Sequence, residues 1–158
     1  MTKRYEPTSD FLKAVIAEEV PLSGSAFAHA NLMRLISFTR DQDLSNRDWA
    51  TMLLASEESD TSVIRDALLA ALRDENFVVR AEALLGLAKR DRALALPFAL
   101  EALSNDHACM AVFEAAELIA DPALVDALRP WTEPSDDKWL DQYARDALAA
   151  CEAGSSAI

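Results

Sequence analysis

Residues 60–91, DTSVIRDALLAALRDENFVVRAEALLGLAKRD, constrain the fold more than any other stretch, because two apolar stripes of helical period flank a short polar turn. Ile64, Ala67, Leu68, Ala71 and Leu72 recur at the spacings of one face of a 3.6-residue helix. Asp60 or Thr61 supplies its N-cap, and Arg73-Asp74-Glu75-Asn76 is too polar to carry the stripe onward. Val78, Ala81, Leu84, Leu85 and Ala88 form a second stripe, closed by Lys89 and Arg90 at the negative end of the helix dipole. A turn this short reaches only an antiparallel neighbour, so the stretch predicts a helix-turn-helix pair.

The rest of the chain agrees with an all-α fold. Hydrophobic residues make up 51% of the 158, yet there are only three glycines and 7% aromatics, and strand-like runs of Val, Ile and Thr are few. The length is that of one domain, which buries roughly 70% of the surface of its unfolded chain. We therefore expect residues 1–153 to form one domain and residues 154–158 a frayed tail.

In chain order, residues 1–8 read as a loosely ordered lead. Ser9 caps a helix carrying Phe11, Leu12, Val15 and Ile16, which runs to Val20 before Pro21. Ser25 caps a helix to about Thr39 with Phe27, Leu32, Leu35 and Ile36 inward. The next helix spans residues 46–56 with Trp49, Ala50, Leu53 and Leu54, and the acids Glu57, Glu58 and Asp60 fall in a solvated turn. After the central pair, Pro97 predicts a partly irregular start to the helix ending at Leu103. Residues 106–120 form its partner, a short helix runs to Leu128, and Trp139, Leu140, Tyr143, Ala144, Ala147, Leu148 and Cys151 make a final stripe.

The chain also repeats. A shift of 31 residues aligns Ala50 with Ala81, Leu53 with Leu84, Leu54 with Leu85, Asp60 with Asp91 and Leu72 with Leu103. Ala67 to Leu72, the turn at Asp74, and Val79-Arg80-Ala81-Glu82-Ala83-Leu84-Leu85-Gly86 resemble the HEAT-repeat family, particularly the short HEAT-like repeats of bacterial proteins. The resemblance covers residues 46–128. It implies a right-handed α-α superhelix, a HEAT-like solenoid of about four helix pairs plus an N-terminal helix, whose second helices line a concave face. It also implies that Asp74 and Arg80 support stacking between repeats. In the 31-residue register Trp49 replaces the arginine in the preceding copy and Ala111 or Val112 in the following one. An arginine ladder is then absent, and Arg80 is free for a ligand.

On the edges of those second helices the candidate partner-binding residues are Asp48, Trp49 and Met52, then Phe77 and Arg80, then Met110, Glu114 and Glu117. Large aromatics beside an arginine and acids have the composition of an interface anchor. Trp49 and Phe77 each have an alternative place, buried between repeats.

Fifteen Lys and Arg stand against 27 Asp and Glu, a net charge of -12. That balance repels phosphate backbones, which disfavours nucleic acid, and favours a protein partner with a basic surface, with solubility alone as the alternative. No uncharged run is long enough to span a bilayer. The leading residues lack an export signal, and Cys109 and Cys151 read as reduced packing residues, so a cytoplasmic protein, monomeric when unbound, is expected. No catalytic, cofactor or metal constellation is evident. His29 and His107 lack a second ligand at helical spacing, and there is no Cys-x-x-Cys, glycine-rich phosphate loop or nucleophile elbow. The leading expectation is a non-enzymatic protein-binding module, of the kind that neutralises a basic toxin or nuclease by occlusion. A bilin-lyase-like enzyme, which similar repeats also include, and a structural scaffold are the alternatives.

Overall fold

Side-chain caps set where most helices begin. The computed structural model describes residues 5–154, and among these nine α-helices and no strands occur. They are α1 (Asp10–Ile16), α2 (Ala26–Phe38), α3 (Leu44–Ser56), α4 (Ser62–Ala71), α5 (Phe77–Arg90), α6 (Arg92–Leu103), α7 (Met110–Ile119), α8 (Val125–Leu128) and α9 (Lys138–Gly154). Ser9, Ser25, Asp43, Thr61, Asn76 and Asp91 each accept a hydrogen bond from a first-turn amide of α1 to α6 in turn, satisfying donors that the helix itself leaves open. Cys109 holds the cap position of α7 with no side-chain bond.

Helices α3, α5, α7 and α9 each pack against the next, while α4 contacts both α3 and α5, and α6 both α5 and α7. The helix α5 is the centre of the molecule, with eight of its residues buried, Val79, Ala81, Ala83, Leu84, Leu85, Gly86, Leu87 and Ala88. Its approach to α3 is close enough that a Cβ built on Gly86 would lie 2.7 Å from the Ala55 Cβ, tighter than any real contact. The glycine is what lets the two backbones meet.

Three arginines tie the loops to this framework. Arg65 holds Asp60 with two bonds of 2.7 Å and Asp91 at 3.0 Å, joining the two turn aspartates that the sequence comparison aligned. Arg90 donates to the carbonyls of Leu54, Ala55, Glu57 and Ser59, as well as to Gly86 of its own helix. Residues 57–60 are thus a clamped loop rather than a freely solvated turn. Arg47 is the third.

Several boundaries differ from the sequence reading. The helix α1 stops at Ile16 rather than at Val20, because Glu18 turns into the left-handed region at φ 60. The helix α6 is regular from Arg92: Asp91 caps it at Leu94, and Pro97, whose missing amide would have bonded the solvent-exposed Ala93, sits on the outer face. The helix α3 starts at Leu44, not Asn46, and α7 spans only Met110–Ile119, ending at Ala120 in the left-handed region (φ 49). Phe27 and Trp139 are 71% and 82% exposed, because each stands one residue out of phase with the buried series Ala28, Leu32, Leu35 and Ala144, Ala147, Cys151. The lead is anchored from Tyr5 onward. Pro7 is buried, and the amides of Thr8 and Ser9 both donate to the Asn46 Oδ1. Gly154 belongs to α9 and abuts the Ala120 carbonyl, leaving no room for a Cβ. The remainder of the expected tail, and residues 1–4, lie outside the described residues.

Candidate functional site

The caps give the repeat its register. Asp43, Asn76 and Cys109 precede α3, α5 and α7 at a spacing of 33, not 31. In this register buried Asn46, Ala50, Thr51, Leu54 and Ala55 of α3 fall on buried Val79, Ala83, Leu84, Leu87 and Ala88 of α5. Because α5 is apolar almost all round, leucine and alanine matches tolerate several registers, whereas the caps do not.

The corrected register places Arg47, not Trp49, opposite Arg80. Each arginine is the fourth residue of its helix and curls back onto the preceding turn. The Arg47 Nη1 donates to the carbonyls of Asp41 and Gln42 at 3.2 Å, and the Arg80 Nη1 to those of Asp74 and Glu75 at 2.7 and 3.0 Å. Asp41 and Asp74 are likewise equivalent, each carboxylate accepting the amide two residues on. An arginine ladder is therefore present across two copies. Arg47 also reaches forward, its Nε and Nη2 gripping the Asp74 carboxylate at 2.9 and 3.3 Å with both side chains nearly buried. The next rung is incomplete: 33 residues beyond Asp74 stands His107, and 33 beyond Arg80 stands Phe113 in the core.

Around the incomplete rung lies a cavity with about 50 Å³ open to solvent molecules, lined by Phe77, Arg80, Leu84, Phe98, Glu101 and His107 among others. Phe77 is 39% exposed, its ring 6.0 Å from that of His107. Arg80 is thus occupied through one nitrogen and not wholly free.

A second feature runs across α3, α5 and α7. Asp48, Glu82 and Glu114 lie within electrostatic reach in a row, Glu82 in the middle and half-buried. Burial, then the charges of Asp48 and Glu114, push the Glu82 carboxyl up to about 7, against a smaller opposing pull from Lys89. Asp48 is also raised, chiefly by burial, although the Tyr5 hydroxyl donates to it at 3.0 Å. Met52 stands one turn beyond Asp48, and Met110 and Glu117 flank Glu114 on α7. Met110 and Glu117 are exposed, and Met52 is half-buried.

The eight candidate residues thus divide. Asp48, Met52, Met110, Glu114 and Glu117 attend the acidic row, while Phe77 and Arg80 belong to the cavity. Trp49 joins neither as an open anchor. The Tyr5 ring stacks on it at 6.2 Å, and its Nε1 is buried without an acceptor.

No known family model matches the chain. Protein YibA of Escherichia coli K12 is 29% identical over 119 residues, covering 75% of this chain and 42% of YibA; the O157:H7 protein matches equally. The chain spans less than half the length of these curated relatives. An X-ray structure of Escherichia coli YibA overlays with a TM-score of 0.59 at 26% identity, over 87% of this chain and 54% of that one. The chain is similar to YibA in sequence and in fold. The likeness to YibA supports the helical architecture, and the site assignments rest on the geometry.

Glu82, Arg47 and His107 are the site residues that the sequence reading missed as such. In the 31-residue register Glu82 falls opposite Thr51, whereas the packing of α3, α5 and α7 brings it within electrostatic reach of Asp48 and Glu114. The two thiols are free: Cys151 is buried, its Sγ 3.5 Å from the Ala116 carbonyl, and Cys109 is half-buried, both pushed up by burial. Among the described residues no group of three or more His, Cys, Asp or Glu side chains could hold a metal ion, and no helix is long and apolar enough to cross a membrane.

Proposed function

We propose that this chain is a HEAT-like, right-handed α-α solenoid of about four helix pairs, and that it binds a protein partner through the acidic row on its second helices. The observation that carries this reading is the crowding of Asp48, Glu82 and Glu114 across the alternate helices α3, α5 and α7. Three carboxylates so placed repel one another, and burial of Glu82, with that repulsion added to it, pushes its carboxyl up to about 7. A lysine or arginine brought by a partner relieves that repulsion, so the row favours a basic surface over a neutral one. The net charge of -12 extends the same preference outward and speeds encounter with a cationic protein. The two methionines beside the row, Met52 and Met110, offer adaptable apolar contact. A non-enzymatic, cytoplasmic, monomeric inhibitor that occludes a basic toxin or nuclease is the use that fits this surface best.

Isolation of the bound protein from the native cell, followed by titration at low and high salt, tests the reading. A basic partner is expected whose affinity falls steeply with salt and falls at least tenfold in Glu82→Gln/Glu114→Gln. A neutral partner with salt-independent binding overturns it. Inhibition further requires a partner that is active alone and silent in the complex.

A further inference from the structure

The two rungs of the arginine ladder are the same device with one part exchanged, and the exchange leaves one guanidinium edge without an acceptor. Arg47 and Arg80 present their Nη1 atoms to the same two carbonyls of the preceding turn, which fixes both guanidinium planes. At Arg47 the remaining Nε and Nη2 edge is filled by the Asp74 carboxylate. At Arg80 no side chain or carbonyl among the described residues accepts from Nε or Nη2. The position that would supply the carboxylate is His107, an imidazole that cannot offer two acceptors to a guanidinium fork. Arg80 and His107 both line the cavity between α5, α6 and the lead into α7.

We propose that this cavity binds a carboxylate borne on a short apolar stem, received by the Nε and Nη2 of Arg80 as Asp74 is received by Arg47. The chemistry is that of a planar, pre-oriented fork meeting a planar anion with two acceptors. The apolar stem is called for by Leu72, Phe77, Leu84 and Phe98, which line the same space. A cavity with about 50 Å³ open to solvent admits the carboxylate and little more, so the remainder of the ligand lies outside against Phe77. Glu101, which also lines the cavity, opposes an anion and sets the affinity low.

This inference is independent of the basic-partner reading, and salt separates the two. A chain of net charge -12 repels a free anion at long range, so screening preserves or tightens carboxylate binding while it weakens a basic partner.

The test follows the Arg80 Nε–H resonance of labelled protein, with that of Arg47 as the internal control, during titration with propionate, with an acetylated Ala-Ala-Leu tripeptide, and with its C-terminal amide. The expected result is saturable movement of the Arg80 signal alone, in the millimolar range for propionate. A tripeptide at least tenfold tighter, and silent when amidated, identifies a chain end of a partner as the source; equal affinity identifies a free small carboxylate. Arg80→Gln, followed through the backbone amides of residues 77–84, should show no saturable shift with either carboxylate, and Glu101→Gln should tighten binding severalfold. His107→Asp keeps Arg80 and supplies the missing carboxylate from within. It should move the Arg80 signal toward that of Arg47, raise Tm and abolish the response to added carboxylate. An Arg80 signal insensitive to both propionate and the tripeptide, or a His107→Asp protein that binds propionate as well as the parent, overturns the proposal.

Discussion

The first rung of the ladder is closed and the second is open, although both arginines are held by the same pair of backbone contacts. Between Arg47 and Asp74 the ion pair is 2.9 Å long, with only 12% and 9% of the side chains exposed, so it belongs to the packing of α3 against α5. Between Arg80 and His107 there is a cavity and an exposed phenylalanine. One interface has spent its polar groups on itself, and the other has kept them available. Changing the acceptor alone is enough to turn a structural contact between helices into an open binding edge.

Substitutions at the two rungs should separate them by the size of their effects. Arg47→Ala strands the Asp74 carboxylate in a nearly buried site and should cost about 3 to 5 kcal/mol in urea unfolding, whereas Arg80→Ala, which loses only carbonyl bonds, should cost about 1 to 2. Equal losses would make the rungs equivalent and remove the contrast. Beneath the open rung, Leu84→Ala empties a site 1% exposed and should cost about 2 to 5 kcal/mol by the same measurement. A near-neutral result would place Leu84 outside the core and discard the register that pairs it with Thr51.

Glu82 separates the acidic row from both rungs through pH. Its folded-state pKa is raised, so the stability linked to its protonated form is fully present below about 4.5 and is lost as pH rises through about 7. Glu82→Gln should therefore match the parent at pH 4 and exceed it at pH 8.5 by on the order of 2 kcal/mol, after allowing for its partial exposure. A difference that does not vary with pH would mean that the row carries no such strain. The smallest effect concerns Thr51, whose buried hydroxyl has no hydrogen-bond partner while its counterpart Leu84 needs none. Thr51→Val should raise stability by about 1 kcal/mol in thermal unfolding, and a loss would point to a bond supplied by solvent.

Much of the local structure was legible. The stripes of α4 and α5 fall on buried Ile64, Ala67, Leu68, Ala71, Ala81, Leu84, Leu85 and Ala88, and Ser9, Ser25 and Thr61 cap as their side-chain chemistry requires. Phe27 and Trp139 were misplaced because hydrophobicity alone does not report a phase error of one residue. The ladder was hidden for a related reason. Apolar matches chose the 31-residue register, and the polar residues that distinguish 33, Arg47 with Asp41 and Arg80 with Asp74, act through backbone carbonyls that leave no mark in composition. The cavity was not readable at all, since it arises from what His107 fails to supply. The acidic row was half visible: Asp48 and Glu114 were identified as candidates, but Glu82 acquires its meaning only when three helices stand side by side.

Arg90 has a consequence for how the molecule assembles. Its guanidinium gathers carbonyls from the last turn of α3 and from the connection to α4, as far as 36 positions back along the chain. The Leu54 carbonyl also accepts the Glu57 amide at 3.2 Å, but Arg90 holds the carbonyls of Ala55, Glu57 and Ser59 from α5, so the connection between α3 and α4 settles fully only when α5 has docked. The unit that opens and closes together is then the α3, α4 and α5 trio rather than any neighbouring pair, and amide exchange from the loop at residues 57–60 should follow the opening of α5 rather than that of the helices on either side of it.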